Sequence, residues 1–380
     1  MAEVVISGSF LVAVAISILM CIGILLTKKY HIKLTENRRD TSAVQAAHSA
    51  PTPRLGGVAI FVAIIPLSII GLLESAPQLW RLLATLAPVI IAGLGEDLGF
   101  NVSPRKRLIA AAISSLLGVF LMGIWIPRAD VPGLDFLISF APFGIFLTVI
   151  AGAGVCNAFN LVDGINGLSS AIALTVTISL SWIASRTGQA DIVAFNITIV
   201  GALLGFLLFN FPRGKIFMGD AGAYGVGHLL AWLGIIMLNR VSEFTPWALL
   251  LIFFWPIADT ALAIFRRRRA GKPADQPDRL HFHQLVMRSL EIGILGRNAR
   301  HVANPLSTLI LMPMFLVPSA TGVLYWDKPL AAGLALVFFT LLFTGTYFLG
   351  VKFAQTLRNN SGKKRLKKNS SSQISLSHKY

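Results

Sequence analysis

Long runs of apolar residues, separated by short polar segments, recur along almost the whole chain. A helix needs about 20 apolar residues to cross the hydrocarbon core of a bilayer. Eleven runs approach that length, and they predict membrane spans near 4–27, 56–74, 82–96, 107–126, 136–156, 166–185, 192–210, 222–239, 245–265, 306–325 and 329–350. The third run is short, and a polar stretch with glycine separates the fifth from the sixth, so ten spans are the alternative count. The pattern predicts an all-α, polytopic integral membrane protein.

The same pattern indicates one domain with a tail. No internal repeat and no separate soluble domain is visible, so residues 1–350 are expected to form a single transmembrane domain. The first run has no basic residue before it and no cleavage signature, which favours a retained first helix over a signal peptide. Residues 351–380 are polybasic and then Ser-rich, which is typical of a disordered tail near anionic headgroups.

Composition excludes a water-soluble globular enzyme. Only 13% of the 380 residues are charged and 55% are hydrophobic, whereas about a quarter of a soluble domain is charged. Lys and Arg number 33 against 17 Asp and Glu, a formal net charge of +16. A soluble chain with this excess would suggest a nucleic-acid partner, but in a membrane protein the excess reports orientation and contact with anionic lipids. We therefore expect no nucleic acid.

The basic residues indicate which loops face the cytoplasm. Eleven spans divide the connecting segments into two sets, and one set carries 28 of the 33 Lys and Arg residues. Its members are 27–55, 97–107, 157–165, 211–221, 266–305 and 351–380. Cytoplasmic loops carry the excess of Lys and Arg, so the N-terminus is predicted to be periplasmic and the C-terminus cytoplasmic, in a bacterial plasma membrane. The long and Gly-rich loops belong to the same set, and any chemistry is expected there.

Two of these inner segments place carboxylates at span ends. Glu96 and Asp97 end the third span, and a basic cluster that includes Lys106 follows them. Further on, NxxNxxDGxxGL begins at residue 157 and places Asn160, Asp163 and Asn166 three residues apart. Burying a carboxylate near hydrocarbon is costly without a partner or ligand. Both segments therefore favour a binding site, the alternatives being charges that end a helix and a structural turn.

Two further inner segments carry acidic or imidazole groups. Asp220 lies between glycines directly before the eighth span, where a loop and a helix N-terminus can hold phosphate and metal together; a simple N-cap is the alternative. His281 and His283 alternate in the longest inner loop. They could ligate zinc, but the acids and amides of the other inner segments favour a hard cation such as Mg²⁺. Phosphate hydrogen bonding by both histidines and Arg279 is the better interpretation.

Asp259 lies inside the ninth predicted span. An acid within the membrane is functional by default. Pairing with Arg266 or another inner-face cation is the structural alternative.

The four inner segments described above, together with PTPRLGG at residues 51–57, occur along the chain in the same order as the motifs of a known family. The pattern resembles the polyprenyl-phosphate N-acetylhexosamine-1-phosphate transferase family, which comprises the WecA-type and, more distantly, the MraY-type enzymes of glycosyltransferase family 4. The resemblance implies transfer of a sugar 1-phosphate from a UDP-N-acetylhexosamine to undecaprenyl phosphate, with release of UMP. It also implies Mg²⁺, or Mn²⁺ in its place, and a role at the start of an envelope glycan such as O-antigen.

The resemblance assigns roles by position. It implies catalytic roles for Glu96, Asp97 and Asp163, metal binding by Asp220, nucleotide-sugar binding by Asn160, Asn166, Asn210 and Phe217, and phosphate binding by Arg279, His281, His283 and Lys106. Phe217 is the expected stacking surface for uracil. The chain departs from the family pattern at Glu96, Asn166 and Gln284, which indicates altered sugar preference more readily than a dead enzyme.

Two other classes of function remain as alternatives. The number of spans and Asp259 are compatible with a transporter or flippase of lipid-linked sugars, although such proteins often show inverted repeats. A scaffolding membrane protein would have no reason to place three acids on one side. The apolar helix surfaces permit a homodimer.

Overall fold

The computed structural model describes residues 2–30, 52–72, 77–269, 271, 280–296 and 299–352. Within these ranges the chain is helical, with turns between helices and no β-strand. Arg279 and the basic tail beyond residue 352 lie outside the described residues. The all-α architecture predicted from the apolar runs is therefore confirmed for the part of the chain that is described.

Fifteen α-helices and one π-helical turn make up the described fold. In chain order they are α1 (Ala2–Leu26), α2 (Gly56–Leu72), α3 (Pro77–Thr85), α4 (Ala87–Asp97), α5 (Pro104–Met122), α6 (Pro132–Ser139), α7 (Ala141–Val162), α8 (Leu168–Arg186), α9 (Ala190–Asn210), α10 (Gly219–Arg240), α11 (Pro246–Ile252), α12 (Phe254–Arg269), α13 (Phe282–Leu290), the π-turn Glu291–Leu295, α14 (Arg300–Leu324) and α15 (Pro329–Lys352).

Each predicted span overlaps one or two of these helices. By length and hydropathy, fewer than eleven segments of the described residues qualify as membrane spans. Eight described segments are long and apolar enough, with α3 and α4 counted together as Leu79–Asp97. The pair α11 and α12 makes a ninth if it is one span, although the two helices meet at an angle of 84°. Helix α2 has only 17 residues, and α5 begins with three basic residues. The count of eleven and the orientation of the termini stay predictions.

Helix α10 is the buried centre of the bundle. Its whole apolar stretch is enclosed by other helices, and it packs chiefly against α7, α4 and α2. Glycines allow this close approach: a Cβ at Gly222 would lie 2.8 Å from the Cα of Gly57, and one at Gly227 would lie 2.9 Å from the Cα of Cys156. Small residues at helix contacts let backbones come together in membrane proteins. The N-terminus of α10 is thereby fixed inside the protein.

The buried histidine of α10 is a packing residue. His228 is fully enclosed, and its Nε2 lies 2.8 Å from the hydroxyl oxygen of Thr85 on α3. The hydrogen bond joins two helices through a polar contact in an otherwise apolar interior. Such contacts between helices contribute about 1 kcal/mol in membrane proteins.

The predicted orientation can be tested with single cysteines, because both native cysteines, Cys21 and Cys156, are buried. Lys328 is exposed in the turn between α14 and α15, which is predicted to be periplasmic. Phe100, 76% exposed after α4, belongs to the predicted cytoplasmic side. In intact spheroplasts a membrane-impermeant maleimide is expected to label Lys328→Cys and to spare Phe100→Cys, and both should react after lysis. Labelling of the opposite variant before lysis would contradict the orientation.

Candidate active site

The segment before α2 pairs with the loop before α10. The backbone N–H groups of Gly56 and Gly57 donate to the carbonyls of Phe217 and Met218 at 2.9 and 2.7 Å, and Phe217 N–H donates to Pro53 at 2.9 Å. A Cβ at Gly57 would lie 2.3 Å from the backbone nitrogen of Gly222, so this position requires glycine. The pairing explains the PTPRLGG motif as a backbone clamp that brings its arginine to the end of α10.

Asp97 caps the N-terminus of α10. Its Oδ1 accepts from the Asp220 N–H and its Oδ2 from the Ala221 N–H, both at 2.9 Å. The first N–H groups of a helix have no partner within the helix and favour a negative charge. Asp97 is only 4% exposed, and this pair of bonds stabilises its charge. The alternative that Asp220 is itself the N-cap is not observed, and these two N–H groups bind a carboxylate rather than a phosphate.

Asp220 lies at the start of α10 among cationic and amide groups. Arg107 from α5 donates to its Oδ2, and the Nδ2 of Asn160 donates to its Oδ1 at 2.5 Å. Arg54 lies 3.7 Å from Oδ1 and also 3.9 Å from an oxygen of Asp97. Asp220 is 3% exposed, so its charge is balanced by these partners rather than by water. Asn160 and Asp220 are thus in direct contact, and the ligand-binding roles that the resemblance implies for them stay predictions.

Arg54 and Arg107 belong to this site, and the residue-by-residue assignment from sequence omitted both. The Arg107 guanidinium also stacks on Tyr224, 5.9 Å from the ring centroid. A signal for each was present, since Arg54 lies in PTPRLGG and Arg107 in the basic cluster after Asp97. Local sequence could not show that both arginines contact Asp220.

Asp163 lies in the turn between α7 and α8, beside the same helix end. The Ser169 hydroxyl donates to its Oδ1 at 2.6 Å. Burial raises the pKa of the Asp163 carboxyl to about 7, because Ser169, Arg54 and the Gly219 N–H offset only part of the desolvation. A carboxyl with such a pKa can hold or release a proton near neutral pH.

Asn166 and Asn210 hold the loops together. The Oδ1 of Asn210 accepts from the Gly167 N–H at 2.6 Å, and its Nδ2 donates to the Ile216 carbonyl at 2.9 Å. The Nδ2 of Asn166 donates to the Pro212 carbonyl at 2.8 Å. Both asparagines are nearly buried. These bonds give both side chains a structural role, while the Oδ1 of Asn166 is buried without a hydrogen-bond partner among the described residues. The nucleotide-sugar binding implied for the two asparagines stays a prediction.

The two histidines meet Asp259 of α12. Nδ1 of His281 and Nδ1 of His283 lie 3.3 and 3.1 Å from the same oxygen, Oδ2. Burial lowers the pKa of His283, and Asp259 partly counteracts that effect. The alternative pairing with Arg266 is not observed, since Arg266 donates to the Tyr347 hydroxyl at 2.6 Å.

The histidine segment adjoins the Asp163 turn. A Cβ at Gly164 would lie 3.6 Å from the Nε2 of His283, so the two segments are neighbours. Three of the remaining predicted residues are placed without a test of their roles: Glu96 is half-buried at the end of α4, Phe217 is half-buried in the loop before α10, and Lys106 is exposed on α5. Arg279 lies outside the described residues.

The acids fit a metal ion only if the substrate completes its coordination. Within the described residues, no group of three His, Cys, Asp or Glu side chains is placed to hold an ion. Both oxygens of Asp97 are used by backbone N–H groups. Mg²⁺, however, commonly binds through one or two carboxylates together with substrate phosphates and water. Asp220 supplies oxygen donors of that kind.

Comparison with known proteins agrees with the resemblance noted from the motifs. A family model described as glycosyl transferase family 4 matches residues 79–238. The chain is 30% identical over 279 residues to decaprenyl-phosphate N-acetylglucosaminephosphotransferase of Mycobacterium leprae, covering 65% of this chain and 68% of that protein. It is 25% identical over 309 residues to a probable undecaprenyl-phosphate N-acetylglucosaminyl 1-phosphate transferase of Bacillus subtilis, covering 80% and 82%. An undecaprenyl-phosphate alpha-N-acetylglucosaminyl 1-phosphate transferase of Salmonella typhi is 27% identical over 292 residues, covering 75% and 77%.

The cap on α10 can be tested with Asp97→Asn. The amide keeps one acceptor oxygen and turns its NH₂ group toward the second backbone N–H, so one buried donor loses its partner. The free energy of unfolding is expected to fall by about 1–3 kcal/mol, seen as a lower thermal midpoint in detergent. Asp191→Asn, which breaks the Asp191–Arg240 ion pair away from this site, is the matched control and should cost about 1 kcal/mol or less. An unchanged midpoint in Asp97→Asn would contradict the role of the cap.

Proposed function

Because the chain belongs to glycosyl transferase family 4, we propose that it transfers a sugar 1-phosphate from a UDP-N-acetylhexosamine to undecaprenyl phosphate and releases UMP. The relatives that it matches are named as decaprenyl-phosphate or undecaprenyl-phosphate transferases of N-acetylglucosamine phosphate. In the net reaction, an oxygen of the lipid phosphate becomes bonded to the phosphorus that carries the sugar, and the bond from that phosphorus to the UMP oxygen breaks. The product is undecaprenyl-diphosphate-sugar.

The observation that carries the proposal is the charge pattern around Asp220. Two arginines, Arg54 and Arg107, lie at the same helix end as the buried acids Asp97 and Asp220. Transfer between two phosphates needs positive charge to let two anions approach. The guanidinium groups can donate hydrogen bonds to phosphate oxygens, and their ion pairs with Asp220 hold them in position before substrate arrives.

Each carboxylate has a different task in this proposal. Asp97 orients the backbone at the start of α10, and Asp163 has a pKa near 7 that suits a group accepting a proton from the lipid phosphate. Asp220, together with substrate phosphates and water, would hold Mg²⁺ or Mn²⁺, which supplies charge neutralisation at the diphosphate. We keep the proposals that Glu96 acts together with Asp97 and that Phe217 stacks on the uracil.

The position of the site suits one soluble and one membrane-bound substrate. Asp97, Asp163 and Asp220 lie at the ends of α4, α7 and α10, which all belong to the predicted cytoplasmic side. A nucleotide sugar approaches from the cytoplasm, whereas a polyprenyl phosphate keeps its chain in the bilayer, so an interfacial site of a bacterial plasma membrane protein serves both. A product of this kind begins a lipid-linked envelope glycan such as O-antigen.

A transporter of lipid-linked sugars fits this arrangement less well. Transporters commonly place their binding groups near the bilayer midplane, between repeats. Here the acids gather at one end of the helices and bind backbone N–H groups and arginines. The geometry thus favours the transferase.

Asp220→Ala tests the proposed active site. The substitution removes the carboxylate that pairs with both arginines, and transfer is expected to fall by at least about 100-fold, the scale of losing one electrostatic contact in an active site. The measurement is radiolabelled lipid formed by purified protein from UDP-N-acetylglucosamine, undecaprenyl phosphate and Mg²⁺. Asp191→Asn is the control and should keep wild-type turnover. Wild-type turnover in Asp220→Ala would refute the assignment.

Substrate range and metal dependence form a separate test. UMP release is expected with UDP-N-acetylhexosamines and not with UDP-glucose, because the relatives are named for an N-acetylated sugar. EDTA should stop the release, and added Mg²⁺ should restore it, since the described acids need a cation to bind a diphosphate. Equal rates with UDP-glucose, or full activity in EDTA, would contradict this part of the proposal.

A further inference from the structure

Asp259 is a buried acid that the proposed reaction does not use. It lies within α12 and is 2% exposed. A carboxylate buried at this depth needs hydrogen-bond partners that stabilise its charge. Three groups of the next segment supply them: Phe282 N–H donates to Oδ1 at 3.1 Å, and the Nδ1 atoms of His281 and His283 both approach Oδ2.

Both rings reach one acid because they flank the first residue of α13. The side chain between them, Phe282, points away into an aromatic cluster, 5.3 Å from Trp255 and 5.3 Å from Phe343 between ring centroids. His281 is the extended residue before α13, whereas Phe282 and His283 are its first two residues, and this change of backbone conformation lets both imidazoles contact Asp259. Their rings stack with centroids 5.5 Å apart.

The outer nitrogens of the two rings are the feature that points to a ligand. Both Nε2 atoms are buried and have no hydrogen-bond partner among the described residues. A buried polar atom without a partner is costly, so such atoms commonly bind a ligand or water. The Nε2 of His283 faces the turn that carries Asp163, next to Gly164.

We propose that Asp259 is a positioning residue that accepts the Nδ1 protons of His281 and His283 and thereby directs both Nε2 atoms to the diphosphate of the nucleotide sugar. This inference rests on the proposed function. Burial lowers the pKa of His283, and the negative charge of a diphosphate beside its Nε2 acts in the opposite direction, so binding favours a second proton there and an imidazolium that Asp259 stabilises. Nε2–H then donates a charge-assisted hydrogen bond to a phosphate oxygen, which is about twice as strong as a neutral one.

The charges of this cluster suit a diphosphate. Two stacked imidazolium rings would repel each other, and one carboxylate balances one of the two charges. A diphosphate between the rings and the Asp163 turn supplies the remaining negative charge. Tyr347 of α15 donates to the Leu280 carbonyl at 3.1 Å and so holds the segment in place beside the site.

The protonation state of the rings can be measured without any assumption about substrate. Two-bond ¹H–¹⁵N correlation spectra of protein with ¹⁵N-labelled histidine rings report which nitrogen carries hydrogen, and single His→Gln variants assign the signals. Wild-type protein should show protonated Nδ1 in both rings. In Asp259→Asn the NH₂ group replaces Oδ2 as the neighbour of both Nδ1 atoms, so both protons should move to Nε2. Unprotonated Nδ1 atoms in the wild type would overturn the proposal.

Affinity for UDP tests the consequence for the ligand. Asp259→Asn is expected to weaken UDP binding by about 10-fold or more, since the charge-assisted hydrogen bonds from the histidines to the diphosphate are lost. In the His281→Gln/His283→Gln background the same substitution should change the affinity by less than about twofold, because it acts through the histidines. Thr260→Val, a change of similar shape at the next buried position of α12, is the control and should bind UDP like the wild type.

The outcomes separate this inference from the proposed function. Wild-type transfer activity with unchanged UDP affinity in Asp259→Asn would overturn the role of Asp259 alone. An equal loss of affinity with and without the histidines would also overturn it, since a purely structural effect does not depend on them. Failure of the wild type to bind UDP would overturn the proposed function and, with it, the ligand assigned to the histidines.

Discussion

Helix α10 begins inside the protein, and the rest of the site depends on which groups accept hydrogen bonds from its first backbone N–H groups. A helix leaves its first N–H groups without partners, and in a buried setting that deficit is costly. Asp97 binds two of these groups with both of its oxygens. The resulting carboxylate is itself buried, and it is tolerated because the helix end carries partial positive charge. One interaction thus fixes a helix and places an acid where water would otherwise be required.

The neighbouring charges follow from that constraint. Asp220 is the second residue of the same helix, so its side chain emerges next to Asp97 and would be repelled by it without cations nearby. Arg54 and Arg107 arrive from two other elements and contact this pair of acids. The backbone clamp at Gly56 and Gly57 brings the first arginine, and a helix start brings the second. The site is therefore a balanced charge cluster that packing against α10 assembles.

Local sequence is enough to predict the parts of this structure that depend on composition. Runs of apolar residues gave the helices because a bilayer demands about 20 such residues in a row. The same criterion could not count spans, because α2 is short, α5 begins with basic residues, and α11 and α12 meet at a sharp bend. Local sequence also marked Asp220 and Asn160, whose side chains meet across 60 positions of the chain.

The roles of individual polar residues were harder to predict, because each is decided by a distant partner. Asp97 and Asn210 are polar residues near helix ends, as ligand-binding residues commonly are, yet their hydrogen bonds are made with backbone atoms. From sequence, Arg266 or another inner-face cation was the expected structural partner of Asp259. In the fold its carboxylate contacts the two histidines. A carboxylate or amide within a motif marks a position where polarity is needed, and only the tertiary contact shows whether the need is a ligand or a helix end.

The candidate site is built from two halves that are held in different ways. One half is the start of α10, fixed on all sides by close glycine contacts. The other is the segment around His281 and His283, which is held by hydrogen bonds to Asp259 and from Tyr347. Asp259 belongs to α12, which follows the sharp bend at Phe253. The turn carrying Asp163 lies between them. The acids and arginines are held rigidly on one side, and a single acid positions the imidazoles on the other. This arrangement suits the proposed reaction, in which two phosphates must be brought together and the protein supplies only part of the coordination of a metal ion.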